Sequence, residues 1–360
     1  MHRAVLFICA VLACLRAASA QPLLEGGGEK LNMAVSFETE AQVEGAVVWS
    51  RTVERPGSRF LRIHFSDIED DATSEFIVTV ADRNGATRAY PKREFAAKTA
   101  FWTEPIEGSL ARIEVISNAK PVGLKFRVDK YVFQRTSGVP FSITIPDDRE
   151  PIVKYKKDLP VLYDRSRAVA KLSFILDDVP YTCSGFLISN DRFLTNEHCV
   201  NSAAVCETAS ATFGYEAMES GSVNPGQKYA CAELIASDFD LDFALLRLSG
   251  SPGALWGKLA LTSREPSVNE QAFMIQHPAG EPKQVSRIDC AITTLLADGR
   301  KHETDIGHKC DTLGGSSGSP VLGRDYQVVG LHHFGFSSQP PWNAENRGVR
   351  MPLIMQKLGL

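Results

Sequence analysis

Period-two alternation runs through this chain and leaves room for little besides β-structure. Phe60 to Phe65 and Phe76 to Val80 alternate, and the runs Ala111 to Ile116 and Leu124 to Val128 follow. Turn signals separate them, such as Asp82-Arg-Asn-Gly85 and Ala119-Lys-Pro-Val-Gly123. Short strands at regular spacing predict an antiparallel β-sandwich. Phe101-Trp102 reads as part of its core rather than as a ligand platform. From about residue 160 the short strands continue at Ala168–Leu176, Phe186–Ile188, Phe243–Leu248, Phe273–Ile275 and Val328–Leu331. A helical period is scarce, and Pro352–Leu358 is its best candidate. The expected class is all-β, with two β domains and one short C-terminal helix.

The domain boundaries follow from punctuation. Residues 136–151 are polar and proline-rich, which reads as the start of a linker. A chain of 360 residues suggests about two domains. We expect a signal segment over 1–20, a β-sandwich over 21–135, a linker over 136–158 and a second domain over 159–360. The signal reading rests on a basic start at His2-Arg3, a twelve-residue apolar run Ala4–Leu15 and the small residues Ala18-Ser19-Ala20. Cleavage is expected after Ala20, which makes the chain secreted or periplasmic and free of a membrane segment once mature. A net charge of −4 offers no basic surface for nucleic-acid phosphates.

Cysteine usage agrees with export. Cys9 and Cys14 would leave with the signal segment. Cys183, Cys199, Cys206, Cys231, Cys290 and Cys310 remain, all in the second half. An even count in an exported chain reads as three disulfides. No C-x-x-C pair is present, so no metal is expected. No cofactor is expected either.

Three segments carry candidate chemistry. They are Cys183-Ser-Gly-Phe-Leu-Ile … Leu-Thr-Asn-Glu-His-Cys199, Asp240-Leu-Asp-Phe-Ala-Leu-Leu-Arg-Leu248 and Cys310-Asp-Thr-Leu-Gly-Gly-Ser-Ser-Gly-Ser-Pro320. They supply a histidine, an aspartate at the head of an apolar strand and a serine in a glycine-rich turn. A serine hydroxyl needs a base to take its proton, and that base needs an orienting acid. His198, Asp242 and Ser317 can fill these roles. Asp238 and Asp240 compete with Asp242. Ser319 stands where the G-x-S-x-G elbow of another hydrolase class has glycine.

Residues 160–360 resemble the trypsin/chymotrypsin-like serine endopeptidases in their histidine, aspartate and serine blocks and in the order of the three. The variant Gly315-Ser-Ser-Gly-Ser-Pro320 and the run Ile275-Gln-His-Pro-Ala-Gly280 are similar to the bacterial glutamyl and lysyl branch. The resemblance implies two six-stranded barrels with the site between them. It implies His198 as base, Asp242 as its orienter, Ser317 as nucleophile, and the amides of Gly315 and Ser317 as oxyanion hole. It implies the pair Cys183–Cys199. Proximity in sequence then suggests Cys206–Cys231 and Cys290–Cys310.

The same resemblance assigns a substrate pocket to Asp311, Thr312, His332, His333, Gly335 and Glu345. His332, helped by Thr312, would receive an acidic side chain, whereas Asp311 or Glu345 would attract Lys or Arg. We expect Glu to be favoured. A His332 that binds as a cation titrates near pH ~6.5, so Glu cleavage would fall on the alkaline side. Many animal members carry Asp just before the nucleophile, to pair with a new N-terminus. Ser316 stands there and cannot form that ion pair. The expected partners are protein or peptide substrates. The competing reading is an inactive homologue that serves as a binding module.

Overall fold

Alternation sends every second side chain of a strand to one face, and in the N-terminal half two such faces meet. The computed structural model describes residues 23–24, 26–37, 47–58, 60–134, 143, 146–335 and 345–360. The expected signal segment and its cleavage point lie outside these residues, as does most of 136–145. One sheet orders Gly26–Ser36, Leu124–Gln134, Phe60–Asp70 and Phe101–Trp102, with Ile106–Glu107 also on Phe60–Asp70. The other orders Val47–Glu54, Leu110–Ile116, Ile77–Ala81 and Thr87–Pro91. Leu61, Ile63, Phe65, Val78, Ile113 and Phe126 fill the space between them. Phe101 belongs to that core, its ring 5.3 Å from that of Phe65.

The second half builds two curled sheets. Val179–Leu187, Val169–Leu176, Ser210–Phe213, Gln227–Asp238, Phe243–Leu248 and Arg192–Thr195 pair in that order. Arg192–Thr195 pairs back onto Val179–Leu187 and closes a six-stranded barrel. The other sheet orders Glu150–Pro151, Gln284–Ser286, Phe273–Gln276, Pro320–Leu322, Val328–Phe334, Asn346–Arg350, Asp305–His308 and Ile292–Ala297. A bridge from Gln271 to Ala291 rolls it toward closure. The C-terminal helix is Met351–Leu358, with Met351 and Ile354 buried in the barrel core. Other helices, such as Pro160–Ser166 and Ala203–Thr208, are too short to show a helical period in sequence. No helix among the described residues is long and apolar enough to cross a membrane.

The expected linker carries more structure than its composition suggests. Glu150–Pro151 adds a strand to Gln284–Ser286, and a 3-10 turn and a short helix cover residues 152–158. Two apolar anchors account for this: Ile152 and Tyr155 are buried in the core of the second half. The disulfides join Cys183–Cys199, Cys206–Cys231 and Cys290–Cys310, the three expected pairs.

Candidate active site

The histidine sits where barrel and disulfide converge. The strand Arg192–Thr195 ends just before Asn196, and Cys199 ties the following turn to Cys183. Nδ1 of His198 lies 2.8 Å from Oδ2 of Asp242, and its backbone N–H donates to Oδ1 at 3.0 Å. Asn196 donates its side-chain N–H to the Asp242 carbonyl at 2.8 Å. Asp242 takes a left-handed backbone, φ 43°, at the head of the strand Phe243–Leu248. A non-glycine residue holds that conformation only where its surroundings fix it.

The rival aspartates point elsewhere. Asp238 pairs with Lys357 at 2.7 Å, and Asp240 faces Lys301 at 3.5 Å on the exposed surface. Arg300 reaches Oδ1 of Asp242 at 3.2 Å while also donating to Glu197 and to the Phe239 carbonyl. Burial alone would raise the Asp242 carboxyl, but His198 and His333 hold it well below the usual carboxylate range.

The serine turn is stitched to the first barrel through Ser184. The Ser184 N–H donates to the Ser317 carbonyl at 2.8 Å, and its hydroxyl donates to the Gly315 carbonyl at 2.9 Å. Gly318 has φ 85°, and a Cβ there would lie 2.2 Å from the Ser184 carbonyl. Gly315 has φ 93°, and a Cβ there would lie 2.9 Å from the His277 carbonyl. These approaches require glycine at both positions. Among the described residues, the amides of Gly315 and Ser317 donate to no protein acceptor. Nε2 of His198 is likewise buried without a hydrogen-bond partner.

A neutral network shapes the loop from below. The Ser316 hydroxyl donates to Oε1 of Gln276 at 2.5 Å, and the Leu313 N–H donates back to Ser316 at 3.2 Å. Nε2 of Gln276 donates to the Asp311 carbonyl at 2.8 Å, and the Ser286 hydroxyl donates there at 2.7 Å. Ser316, the residue before Ser317, is thus braced by uncharged hydrogen bonds.

The expected pocket residues divide into two groups. Asp311, Thr312 and His332 are buried on the second-barrel side. Nδ1 of His332 lies 3.1 Å from Nε2 of His308. Burial, then His308, His333 and His198, push His332 well below its ordinary value. His333 is buried between the carboxylates of Asp242 and Asp305. Glu345 is bound by Arg347, Thr293 and Thr294. Gly335 is exposed at the end of its strand. Sequence reading missed Arg300 and Asp305, which lie within no recognisable local pattern, and the bracing role of Gln276, whose run Ile275–Gly280 signals a resemblance but not that contact.

Comparison with known proteins names the domain class. Residues 183–331 match the model of the trypsin-like peptidase domain. A secreted RxLR effector protein of Plasmopara viticola is 34% identical over 184 residues, covering 47% of this chain and 45% of that protein. A glutamyl endopeptidase of Staphylococcus epidermidis is 24% identical over 178 residues, covering 48% of this chain and 61% of that protein. The chain thus spans about half the length of the curated relatives it matches. Among solved structures, a Glu endopeptidase in complex with MPD aligns with a TM-score of 0.44 at 20% identity, covering 60% of this chain and 96% of that one.

Proposed function

We propose that this chain is an exported serine endopeptidase with Ser317 as nucleophile, His198 as base and Asp242 as its orienter. The observation that carries the reading is the coupling of His198 Nδ1 to a buried, ionised Asp242 at 2.8 Å. That bond places the proton on Nδ1 and leaves Nε2 as the acceptor for the Ser317 proton. Ser317 Oγ attacks the scissile carbonyl, and the unengaged amides of Gly315 and Ser317 receive the developing oxyanion. His198, now an imidazolium, returns its proton to the leaving amine. Water then hydrolyses the acyl-enzyme by the reverse sequence.

Residues 136–158 would connect an accessory or pro-domain over 21–135 to the protease domain over 159–360. Export is supported by three disulfides and by the secreted relative. The Gln276–Ser316 bracing supports a catalytic loop that needs no new N-terminus to form.

The cleaved bond follows an acidic residue, with Glu favoured over Lys or Arg. The two carboxylates that would attract a basic side chain are already engaged. Oδ2 of Asp311 accepts the Asp148 N–H at 2.9 Å, and Glu345 is bound by Arg347. Thr312 and His332 would meet the substrate carboxylate by hydrogen bonds. The test is digestion of a denatured protein of known sequence, with mass spectrometry of the new termini. Termini after Glu support the specificity. Termini after Lys or Arg move the pocket to Asp311 and Glu345.

A further inference from the structure

We infer that the buried pair Asp305–His333 is a positioning device for the catalytic aspartate, an inference that rests on the protease reading above. Nδ1 of His333 lies 3.0 Å from Oδ2 of Asp242, the same oxygen that His198 engages. Nε2 of His333 lies 2.5 Å from Oδ2 of Asp305. Asp305 is itself fully buried and accepts the Thr304 hydroxyl at 2.9 Å. A carboxylate only accepts hydrogen bonds, so a ring flanked by two of them carries a proton on both nitrogens. His333 is then an imidazolium, and Asp305 cancels its charge.

The arrangement saturates Asp242. Oδ2 receives two imidazole N–H groups. Oδ1 receives the His198 amide, with the Arg300 guanidinium 3.2 Å away as an ion-pair partner. The carboxylate cannot rotate without losing donors, so the His198 tautomer stays fixed. Without Asp305, His333 would place an uncancelled positive charge against Asp242 and weaken its support for the His198 imidazolium. The groups facing His333 are Asp242, Asp305, His198, His308 and His332, with Arg300 across Asp242. Burial opposes its charge, but Asp305 and Asp242 raise its pKa to about 9. The proton is thus held at neutral pH and lost as pH rises through about 9. Nδ1 or Nε2 then becomes an acceptor against a carboxylate, and one contact breaks.

The test compares two full-length double variants, H333N/D305N and H333L/D305N. Both remove the two charges, and Asn and Leu have similar shape. Only Asn keeps an N–H where Nδ1 of His333 was. The account predicts that the Asn variant retains most of kcat, within about 5-fold of the unmodified enzyme. The Leu variant should lose up to about 10²-fold in kcat, the scale of a misplaced catalytic group, with KM nearly unchanged. The unmodified enzyme should lose kcat through about pH 9, and the Asn variant should not. Equal activity of the Leu and Asn variants overturns the proposal. If neither variant folds, a kcat of the unmodified enzyme that stays flat to pH 10 also overturns it, and a loss centred near 9 supports it. An unmodified enzyme that cuts nothing overturns the protease reading and this inference together. An active enzyme with indifferent variants overturns the inference alone.

Discussion

The Asp242 carboxylate makes three hydrogen-bond contacts and one ion pair, and its neighbours Asp238 and Asp240 are bound to surface lysines. Asp242→Asn should lower kcat by about 10⁴-fold, because an amide favours the wrong imidazole tautomer. Asp240→Asn should change kcat little. Steady-state kinetics on the three Asp→Asn variants separates them, and a crippling effect at Asp240 would shift the orienter by two residues. The triad residues were legible because each lies in a short run whose residue types need one another. His333 was legible as a residue but not as a role. Its identity suggests a pocket, and only strand geometry turns it toward Asp242. Asp305 and Arg300 carry no local signal. Arg300 meets Asp242 directly and Asp305 acts on it through His333, across 58 and 63 positions of sequence.

At the scale of elements, the catalytic loop depends on the end of one strand. Gln276 closes Phe273–Gln276 and joins Ser316, Ser286 and Asp311 in one uncharged network. Gln276→Leu would remove the acceptor of the buried Ser316 hydroxyl and one of the two donors to the Asp311 carbonyl, which keeps the Ser286 hydroxyl. Leaving buried partners unpaired costs about 1–3 kcal/mol. Denaturant unfolding should show that loss, and kcat should fall more than KM rises as the amides of Gly315 and Ser317 lose their alignment. An unchanged kcat would remove Gln276 from the account. The bridge Cys183–Cys199 closes a loop of 16 residues around His198. Replacing both cysteines by serine should lower stability by about 3 kcal/mol, read from the unfolding midpoint. Strands were legible in the sequence because alternation is local. The segment 150–158 was not, because its buried contacts come from Ile152 and Tyr155 alone in a polar stretch.

Across the whole molecule, the two halves share strands and bonds. Leu23–Leu24 pairs with Thr182 and Tyr181 of the first barrel, while Gly26–Ser36 belongs to the sandwich. Arg62, buried in the sandwich, donates to the Thr103 carbonyl at 2.7 Å and to the Thr208 carbonyl of the barrel half at 2.8 Å. Lys130 pairs with Asp178 at 2.6 Å across the same junction. None of this was legible, since composition separates the halves and says nothing of how they dock.

Acid stability also belongs to this scale. The Arg264 guanidinium pushes the Glu270 carboxyl down to about 2. A lowered carboxylate contributes stability that is complete above its unfolded value near ~4.3 and lost as pH falls through about 2. Acid unfolding of Glu270→Gln should be shallower over that range than that of the unmodified chain. Equal slopes would mean that the pair contributes nothing.

The most direct measurement of the central claim is labelling by a serine-directed phosphonylating reagent, mapped by mass spectrometry. The native chain should carry one adduct, at Ser317, and Ser317→Ala should carry none and lose about 10⁶-fold in kcat. His198→Ala and denatured protein should also stay unlabelled, because the hydroxyl then has no base. An adduct at Ser316 or Ser319, or none on a folded chain, would contradict Ser317 as the activated nucleophile.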